Sequence, residues 1–377
     1  MSDSLHMHAP SKPRALGYRM PAEWHTHAAT WIAWPHNPSD WPGKFQPIPW
    51  VYAEIVRHLA SVEDVHILVQ DAAEEKRAKR TLLRNRVHLA RVQFHLWPTN
   101  RVWMRDSGPI FLRRSIDDTA NAPLALTNWK FNAWAKYDDW QHDNEIPGRV
   151  ARLLQVPEWK PEIELAGGSN TLEQPDEPGH RVVLEGGSID VNGAGVLLTT
   201  EECLLSDVQQ RNPGISREQL EQCFHEYLGI DQVLWMNRGI AGDDTHGHID
   251  DLARFVDETT IVTVTETNTA DENCEPLAEN LDRLRSARTL DDKPYRVAEL
   301  PMPAPVVFEG QRLPASYANF YIANGLVLVP TFNDPNDRIA LNTLASLFPQ
   351  HRIAGIHCVD FIWGLGALHC MTQQQPA

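Results

Sequence analysis

Positive charge is scarce in this 377-residue sequence. Its 34 Lys and Arg residues oppose 50 Asp and Glu residues, which leaves a formal net charge of -16 at pH 7. A surplus of this sign repels phosphate backbones and attracts cations. We therefore expect no nucleic-acid partner and favour a cationic ligand.

Cysteines and long apolar runs are also few. The five cysteines form an odd, scattered set without a CxxC pair: Cys203, Cys223, Cys274, Cys358 and Cys370. Such a set predicts neither a disulfide framework nor a zinc knuckle, and it favours a reducing cytoplasm. No stretch approaches the roughly 20 apolar residues of a membrane helix, and the first twenty residues contain no signal-peptide core. The sequence therefore predicts a cytoplasmic protein without a membrane partner.

Apolar residues nevertheless make up 42% of the chain, which is enough for the core of a globular protein. Short β-branched runs predict strands over residues 29–34, 65–69, 92–96, 109–112, 182–184, 195–199, 233–236, 260–265, 295–298, 319–322 and 326–329. Helical periodicity predicts helices over residues 49–61, 72–85, 146–154, 217–228, 275–288 and 334–347. This alternation indicates an α/β fold. The 21 Gly and 27 Pro residues are spread along the chain, so we expect one domain over residues 1–377, with 1–15 as a flexible N-terminal segment.

Two of the helix starts carry capping signals. Ser216 with Gln219 three residues later forms a capping box. Asp334 followed by Pro335 supplies an N-cap and a favoured first-turn proline. We therefore expect helices to begin directly after Ser216 and Asp334.

A segment rich in histidine and aspartate, GDDTHGHIDD, spans residues 242–251. As a strand it would place His246, His248 and Asp250 on one face, so that imidazole and carboxylate share a surface. Two other interpretations remain open. The segment can be a polar strand edge or turn, or it can supply metal ligands from Asp244, His246, His248 and Asp250, although HExxH and Cys/His spacings are absent.

Two further carboxylates, Asp106 and Glu185, have sequence neighbours that fit a binding site. Asp106 either caps the turn at residues 107–109 or lies beside the aromatic wall of Trp103, which suits a flat cation. In an extended segment Arg105 and Asp106 point to opposite sides, so they do not pair with each other. Glu185 precedes two glycines that permit the close approach of another backbone, although a plain loop also fits.

Cys370 lies near the end of the chain, after a glycine-containing approach. A lone cysteine is most often a buried apolar side chain, yet the polar tail that follows suits an accessible thiol. Carboxylates can hold a planar guanidinium, a thiolate can attack its carbon, and a histidine can protonate the departing ammonia and then activate water. This chemistry needs no metal and no cofactor. His369 is not assigned as the base, because in an extended strand it would point away from Cys370.

The sequence resembles the agmatine deiminases and the Porphyromonas-type peptidylarginine deiminases of the guanidino-group-modifying superfamily. The likeness covers nearly the whole chain. Its motifs are GYRMPAEW at 17–24, FNAW at 131–134, TTEECLL at 199–205, RNPG at 211–214, SYANFYIANG at 316–325 and HCMTQQQP at 369–376.

The resemblance implies a five-bladed β/α propeller of pseudo-fivefold ββαβ modules around an acid-lined pocket. It implies Cys370 as the nucleophile, His248 as the general acid and base, and Asp106 and Asp250 as the guanidinium-binding acids. Glu185 resembles the acid that orients the histidine or contacts substrate. Two pocket residues complete the implied site: Asn319 and Trp103. The expected reaction converts agmatine to N-carbamoylputrescine and ammonia.

Two departures from the resembled pattern concern the substrate. The usual Gly-Gly-Gly-Asn-Ile approach to His-Cys is here Gly364-Leu365-Gly366-Ala367-Leu368, and Asp251 stands where Asn is usual. Another guanidino compound, peptidyl-arginine, amidino transfer to an amine, and a non-enzymatic ligand-binding propeller therefore remain alternatives. The expected partner is a small cationic guanidino substrate, and a homo-oligomer such as a dimer is left open.

Overall fold

The computed structural model describes residues 11–114, 123–163 and 180–377. Residues 1–10 of the expected flexible segment lie outside this part of the chain. Of the remainder, Pro13–Leu16 forms a 3-10 turn, and Arg14 Nη2 lies 2.6 Å from Asp231 Oδ1.

The described residues contain 21 strands. In chain order they are β1 Tyr18–Arg19, β2 His27–Ala33, β3 Asp64–Val69, β4 Val92–Leu96, β5 Ile110–Arg114, β6 Leu124–Thr127, β7 Glu158–Trp159, β8 Glu162–Ile163, β9 His180–Arg181, β10 Asp190–Val191, β11 Val196–Thr200, β12 Gln232–Met236, β13 Ala253–Phe255, β14 Thr260–Thr265, β15 Arg296–Pro301, β16 Val307–Phe308, β17 Gln311–Arg312, β18 Tyr321–Ala323, β19 Leu326–Thr331, β20 Arg352–His357 and β21 Gln373–Pro376.

The same part of the chain contains eight α-helices and eight 3-10 helices. The α-helices are α1 Ile48–Leu59, α2 Ala72–Arg84, α3 Met104–Ser107, α4 Ile146–Leu154, α5 Glu201–Leu205, α6 Arg217–Leu228, α7 Cys274–Ser286 and α8 Pro335–Leu347. The 3-10 helices are Pro13–Leu16, Pro38–Asp40, Leu89–Arg91, Ala133–Ala135, Asp143–Glu145, Gly186–Ser188, Ile249–Asp251 and Phe361–Gly364. None of the helices in the described ranges is both long and apolar enough to span a bilayer.

Five sheets share one pairing pattern. In each, the middle strand is antiparallel to the strand on one side and parallel to the strand on the other. The five sets of three strands are β21-β2-β3, β5-β6-β7, β10-β11-β12, β13-β14-β15 and β18-β19-β20. In each set helical segments connect the two parallel strands, as such pairs require a crossover. The remaining pairings extend two of these sheets or form two short hairpins.

The middle strands are buried almost throughout. All five residues of β11 are buried, and five of the six residues of β19 are. Strands covered on both faces carry continuous apolar runs instead of an alternating pattern. This explains why four of the five middle strands, β2, β11, β14 and β19, can be predicted from the sequence.

The predicted α/β fold class is confirmed, and both capping signals lie where expected. Ser216 and Gln219 form a reciprocal capping box at the start of α6, and Asp334 caps α8. The strand predicted over residues 182–184 is reduced to one isolated bridge, between Lys130 and Val183. Eleven of the observed strands were not predicted from the sequence: the two-residue strands β1, β7, β8, β9, β10, β16 and β17, and the longer strands β6, β13, β20 and β21.

The C-terminal strand β21 pairs antiparallel with β2, near the start of the chain. Gln373 lies opposite Trp31, and Gln374 lies opposite Thr30. The turn that carries Cys370 is therefore anchored just before a strand that is itself buried.

Candidate active site

The turn before β21 places Cys370 against helix α3. The Arg105 backbone N–H donates to the Cys370 carbonyl oxygen at 3.0 Å. Gly366 packs on Trp103, and a Cβ at Gly366 would lie 2.8 Å from that indole ring. Because glycine has no Cβ, the turn can approach α3 closely at Gly366, where a larger residue would clash with Trp103.

The Cys370 sulfur has polar neighbours. Asn319 Nδ2 lies 3.0 Å from Sγ, and Asp250 Oδ2 lies 3.6 Å from it. Asn319 also fixes the turn, because its Oδ1 accepts the His369 backbone N–H at 2.9 Å. The structure thus brings together Cys370, Asn319 and Asp250 as the sequence predicts.

Asp106 is held by two donors. Its Oδ1 accepts the Gly187 backbone N–H at 3.0 Å, and its Oδ2 accepts the Trp134 indole N–H at 2.9 Å. The residue lies in the short helix α3 and not in an extended segment. As expected, Arg105 does not pair with Asp106, because its guanidinium reaches Glu23 instead.

His248 lies among three carboxylates. Its Nδ1 is 3.8 Å from Asp106 Oδ1 and 4.0 Å from Asp250 Oδ1, and its Nε2 is 3.8 Å from Glu185 Oε2. Both ring nitrogens are buried and have no hydrogen-bond partner among the described residues. Within the described part of the chain, both ring nitrogens are therefore free to form a hydrogen bond with a ligand that enters the site.

Of the strand and turn left open for residues 246–250, the structure shows the turn. His248 precedes the 3-10 helix Ile249–Asp251, and His246 adopts a left-handed φ of 64°. This backbone turns His246 toward Ser206, whose Oγ lies 3.2 Å from Nε2. Only His248 and Asp250 of the proposed face enter the site.

The proposed metal ligands likewise separate. Asp244 accepts from the Tyr137 hydroxyl at 2.7 Å and contacts Lys136, away from His248. Two other groups of donor atoms converge within 4.8 Å in the part of the chain that the structure describes: Glu185, Cys203 and His248, and Asp250, Asp251 and Cys370.

Glu185 is anchored by Arg211, and the glycines that follow leave space for the site. Arg211 Nε donates to Glu185 Oε1 at 3.1 Å. A Cβ at Gly187 would lie 2.5 Å from His248 Nδ1 and 2.7 Å from Asp106 Oδ1. The Gly-Gly pair is therefore required by close approach, as its sequence context suggests.

Burial and charge move the pKa values of these groups apart. Burial, with the charges of Asp250 and Glu185, raises the pKa of Asp106 to about 6 against the lowering effect of His248. Burial disfavours the Glu185 carboxylate, but Arg211 and His248 outweigh it and lower its pKa to about 2.

The histidine and the thiol are shifted upward. Burial disfavours the His248 imidazolium, but Asp106, Cys203 and Glu185 outweigh it and hold the pKa well above its usual range. Burial, Asp250, Asp251 and Asp106 raise the pKa of the Cys370 thiol. The free site therefore holds an imidazolium and a protonated thiol at neutral pH.

His369 lies in a turn and not in an extended strand, which corrects the geometry assumed for it. Its Nδ1 is 2.6 Å from Asp250 Oδ2, and its Nε2 is 2.7 Å from Glu23 Oε2. Both nitrogens are thus occupied by carboxylates behind the site, so His369 supports Asp250 without facing the cavity.

A cavity of about 250 Å³ opens onto this cluster. Its lining residues are Ser39, Asp40, Arg101, Trp103, Asp106, Trp134, Tyr137, Asp244, Thr245, Gly364, Leu365, Gly366 and Cys370. Trp103 is thus the cavity wall that the sequence predicts. Leu365 reaches the cavity with a left-handed φ of 66°, whereas Ala367 is fully buried.

Most of the outer cavity was not predicted from the sequence. Asp40, Arg101 and Tyr137 come from separate segments and share no local pattern, and Asp244 was considered only as a metal ligand. Trp134 carried a signal in the FNAW motif. It lies within three consecutive residues with left-handed φ values of 50°, 59° and 53°, a conformation that non-glycine residues rarely adopt.

Comparisons with known proteins agree with this geometry. A family model described as Porphyromonas-type peptidyl-arginine deiminase matches residues 19–376. The agmatine deiminase of Stutzerimonas stutzeri is 33% identical, with 97% of this chain and 98% of that protein covered. The structure of the Enterococcus faecalis agmatine deiminase catalysing its reaction has a TM-score of 0.85 and 27% identity, covering 98% of each chain. That of the C. jejuni agmatine deiminase with substrate bound has a TM-score of 0.79 and 28% identity, covering 96% of each chain.

Proposed function

The chain belongs to the Porphyromonas-type peptidyl-arginine deiminase family, and we propose that it is an agmatine deiminase, a hydrolase that converts agmatine to N-carbamoylputrescine and ammonia. The observation that carries the proposal is the convergence of Cys370, Asp106, Asp250 and His248 next to one cavity. The products place the reaction in putrescine and polyamine synthesis.

The cavity suits a planar cation. Trp103 and Trp134 line it with aromatic surface, and Asp106 and Asp250 supply carboxylates beside the nucleophile. Carboxylates match the N–H pattern of a guanidinium, and aromatic faces attract cations. Substrate binding would thus place the guanidinium carbon next to Cys370 Sγ.

The first half of the reaction uses the thiol and the imidazolium. The arriving guanidinium offsets the carboxylate charge that keeps Cys370 protonated, so the thiol releases its proton to solvent water. The thiolate then forms a bond to the guanidinium carbon while the C=N electron pair moves onto nitrogen. His248 gives a proton to one terminal nitrogen, the C–N bond breaks, and ammonia leaves. The product of this half is a cationic thiouronium bonded to Cys370.

Hydrolysis completes the cycle. His248, now neutral, takes a proton from water, and the oxygen forms a bond to the thiouronium carbon. The C–S bond then breaks while the oxygen passes its remaining proton to the departing sulfur, which releases the ureido product and restores the Cys370 thiol. Glu185 orients the imidazole through its carboxylate, 3.8 Å from Nε2. No metal or cofactor enters these steps.

We further propose that the five sheets form the blades of a β/α propeller with the site at its centre, within one catalytic domain. Their shared pairing pattern supports five repeated modules, and the pairing of β21 with β2 supports closure of the ring. The free thiols of all five cysteines fit the cytoplasmic location that we propose.

Ammonia release tests the function. We expect release from agmatine to exceed release from arginine, blocked arginine peptides, and guanidinoalkylamines of other chain lengths. Cys370→Ser should lose turnover while its thermal unfolding stays close to that of the parent protein. A ligand-binding protein would release no ammonia from any compound, and an amidinotransferase would form a transferred amidine only when an amine acceptor is added.

A further inference from the structure

Three acids line the cavity, and their oxygens differ in how they are used. Both oxygens of Asp106 accept hydrogen bonds, and both oxygens of Asp244 contact Lys136 or Tyr137. Asp40 Oδ1 accepts from Arg101 Nη1 at 3.0 Å, but Asp40 Oδ2 is buried and has no hydrogen-bond partner among the described residues. Asp40 is therefore the lining acid with an unused acceptor.

A buried carboxylate oxygen without a hydrogen-bond partner lowers the stability of the protein unless a ligand donates a hydrogen bond to it. The nearest cation does not do so, because Arg101 is shared between Asp40 and Asp139, with Arg101 Nη2 lying 2.9 Å from Asp139 Oδ1. One guanidinium facing two carboxylates leaves a surplus of negative charge. Burial raises the pKa of Asp40 to about 7, with Arg101 lowering it and Asp139 raising it, so Asp40 is ready to ionise when a cation binds.

Asp40 is connected to the catalytic cluster along one wall of the cavity. Asp106 accepts from Trp134, whose ring lies 6.0 Å from that of Tyr137. Tyr137 in turn stacks on Arg101, whose guanidinium carbon lies 4.2 Å from the ring centroid. Asp106 and Asp40 thus mark the two ends of a wall that is largely aromatic.

We propose that Asp40 Oδ2 binds the distal ammonium group of the substrate while Asp106 holds its guanidinium. This inference rests on the proposed function. It makes Asp40 the residue that selects guanidinoalkylamines over guanidines with an uncharged tail. The alkyl chain then lies along the Trp134 and Tyr137 wall, where its methylene groups leave water.

One other arrangement would also use the free oxygen. The Tyr52 hydroxyl is buried and without a hydrogen-bond partner among the described residues, and the Asp40 charge adds to the effect of burial in raising the pKa of Tyr52. A water molecule between Tyr52 and Asp40 would satisfy both groups. Asp40 would then support the fold and would not contact substrate, so the experiment must separate these roles.

The test compares agmatine with butylguanidine, which has the same guanidinium and alkyl chain but no ammonium. Asp40→Asn keeps an acceptor for Arg101 and replaces Oδ2 by an NH2 group. We expect this change to lower kcat/KM for agmatine by about 10- to 100-fold, mostly through KM, because a hydrogen bond to a charged group is lost. Turnover of butylguanidine should stay nearly unchanged, which also shows that the variant is folded.

Two control variants complete the design. Asp139→Asn removes the other carboxylate on Arg101, outside the cavity lining, and should keep the preference for agmatine over butylguanidine. Asp244→Asn should keep that preference as well. A selective loss in Asp244→Asn, or equal losses on both substrates in Asp40→Asn, would overturn the assignment to Asp40.

The unmodified protein separates this inference from the function itself. If it turns over agmatine and butylguanidine equally well, no ammonium subsite exists, although deimination stands. If it releases ammonia from neither compound, the proposed function is wrong and the assignment to Asp40 is overturned with it.

Discussion

The Cys370 thiol lies beside carboxylates, and their charge sets the condition under which it reacts. Burial and three acids keep it protonated in the free protein, whereas a thiolate is the nucleophilic form. A guanidinium bound beside Asp106 and Asp250 reverses the local field. In the proposed mechanism, the substrate therefore supplies the charge that activates the Cys370 thiol.

The reactivity of the free thiol checks this account. We expect iodoacetamide to modify Cys370 slowly at pH 7 and faster as the pH rises, with a midpoint above the usual value of about 8.5. Mass spectrometry of the Cys370 peptide measures its rate apart from those of the other cysteines, and half-buried Cys274 serves as an internal reference. A midpoint on the acidic side of 7 would contradict substrate-assisted activation.

Asp250 and Asp251 are adjacent in sequence but differ in how readily they are protonated. Burial raises the pKa of Asp251, and Asp250 and Asp243 raise it further, so Asp251 takes up a proton more readily than Asp250 does. Burial disfavours the Asp250 carboxylate, but His369 and His248 outweigh it and lower its pKa. A carboxyl group that is easily protonated is closer to an amide in charge, which fits an Asp at position 251 where the resembled family usually has Asn.

Two amide substitutions test this difference. We expect Asp251→Asn to keep most of the ammonia-releasing activity at pH 7, because burial, Asp250 and Asp243 already disfavour a charge at this position. The matched change Asp250→Asn removes an ionised carboxylate beside the reacting carbon and should lower kcat/KM by about 100-fold or more. Similar losses in the two variants would show that Asp251 is also ionised.

At the scale of elements, the site is built on very short helical segments. Asp106 lies in the four-residue helix α3, Gly187 in the 3-10 helix Gly186–Ser188, and Asp250 in the 3-10 helix Ile249–Asp251. A side chain on such a segment is fixed by its tertiary contacts. The two glycines of the second segment let it approach the other two closely.

Segments of this length also limit what a sequence can predict. Helix α6 and strand β14 were predicted with their observed bounds, because twelve and six residues show a period. Three or four helical residues show no period, so the sequence left the segment around His248 open between a strand and a turn. Strand β21 was missed because its sequence, QQQP, is polar, and it is held by contacts such as the Trp31 indole N–H donating to Gln375 Oε1 at 2.9 Å.

The candidate site likewise has one part that could be predicted from the sequence and one part that could not. The residues around the nucleophile were proposed from motifs and chemistry, and the structure brings Cys370, His248 and Asp250 together. Asp40 and Arg101 were not proposed, because they lie 61 positions apart in sequence and meet only after the chain has folded. Their role depends on a cavity, which no local pattern encodes.

Gly187 offers a test at this scale. We expect Gly187→Ala to lower kcat/KM by about 100-fold, because its Cβ would displace His248 or Asp106, and a displacement near 1 Å is enough for such a loss. The matched change Gly310→Ala meets no atom within 4 Å and should retain activity, although its left-handed φ of 80° costs some stability. Full activity of Gly187→Ala would show that the cluster is looser than its distances indicate.

Across the whole molecule, Glu23 connects distant parts of the chain. Its Oε2 lies 2.8 Å from Arg254 Nη2, 3.3 Å from Arg105 Nη2 and 2.7 Å from His369 Nε2, and its Oε1 accepts the Ile322 N–H at 2.8 Å. These partners come from β13, α3, the turn before β21, and β18. One buried carboxylate thus joins several elements directly behind the candidate site.

The stability of the fold should therefore depend on the charge of Glu23. We expect Glu23→Gln to lower the free energy of unfolding at pH 7 by about 3 kcal/mol or more, because Arg254 and Arg105 would lose a buried counter-charge. The matched change Glu54→Gln removes an exposed partner of Arg57 and should cost less than about 1 kcal/mol. Urea denaturation followed by tryptophan fluorescence measures both values.

The difference in unfolding free energy between the parent protein and Glu23→Gln should depend on pH, and this dependence shows whether the charge of Glu23 is its cause. Burial disfavours the Glu23 carboxylate, but Arg254 and His369 outweigh it and hold its pKa well below the value of about 4.3 that it has in an unfolded chain. Its stabilising contribution is thus complete above that unfolded value and is lost as the pH falls toward the folded pKa. The stability gap between the parent protein and Glu23→Gln should narrow below about pH 4. A gap that stays constant from pH 7 to pH 3.5 would mean that Glu23 acts through packing, and the modules would then be joined by shape and not by charge.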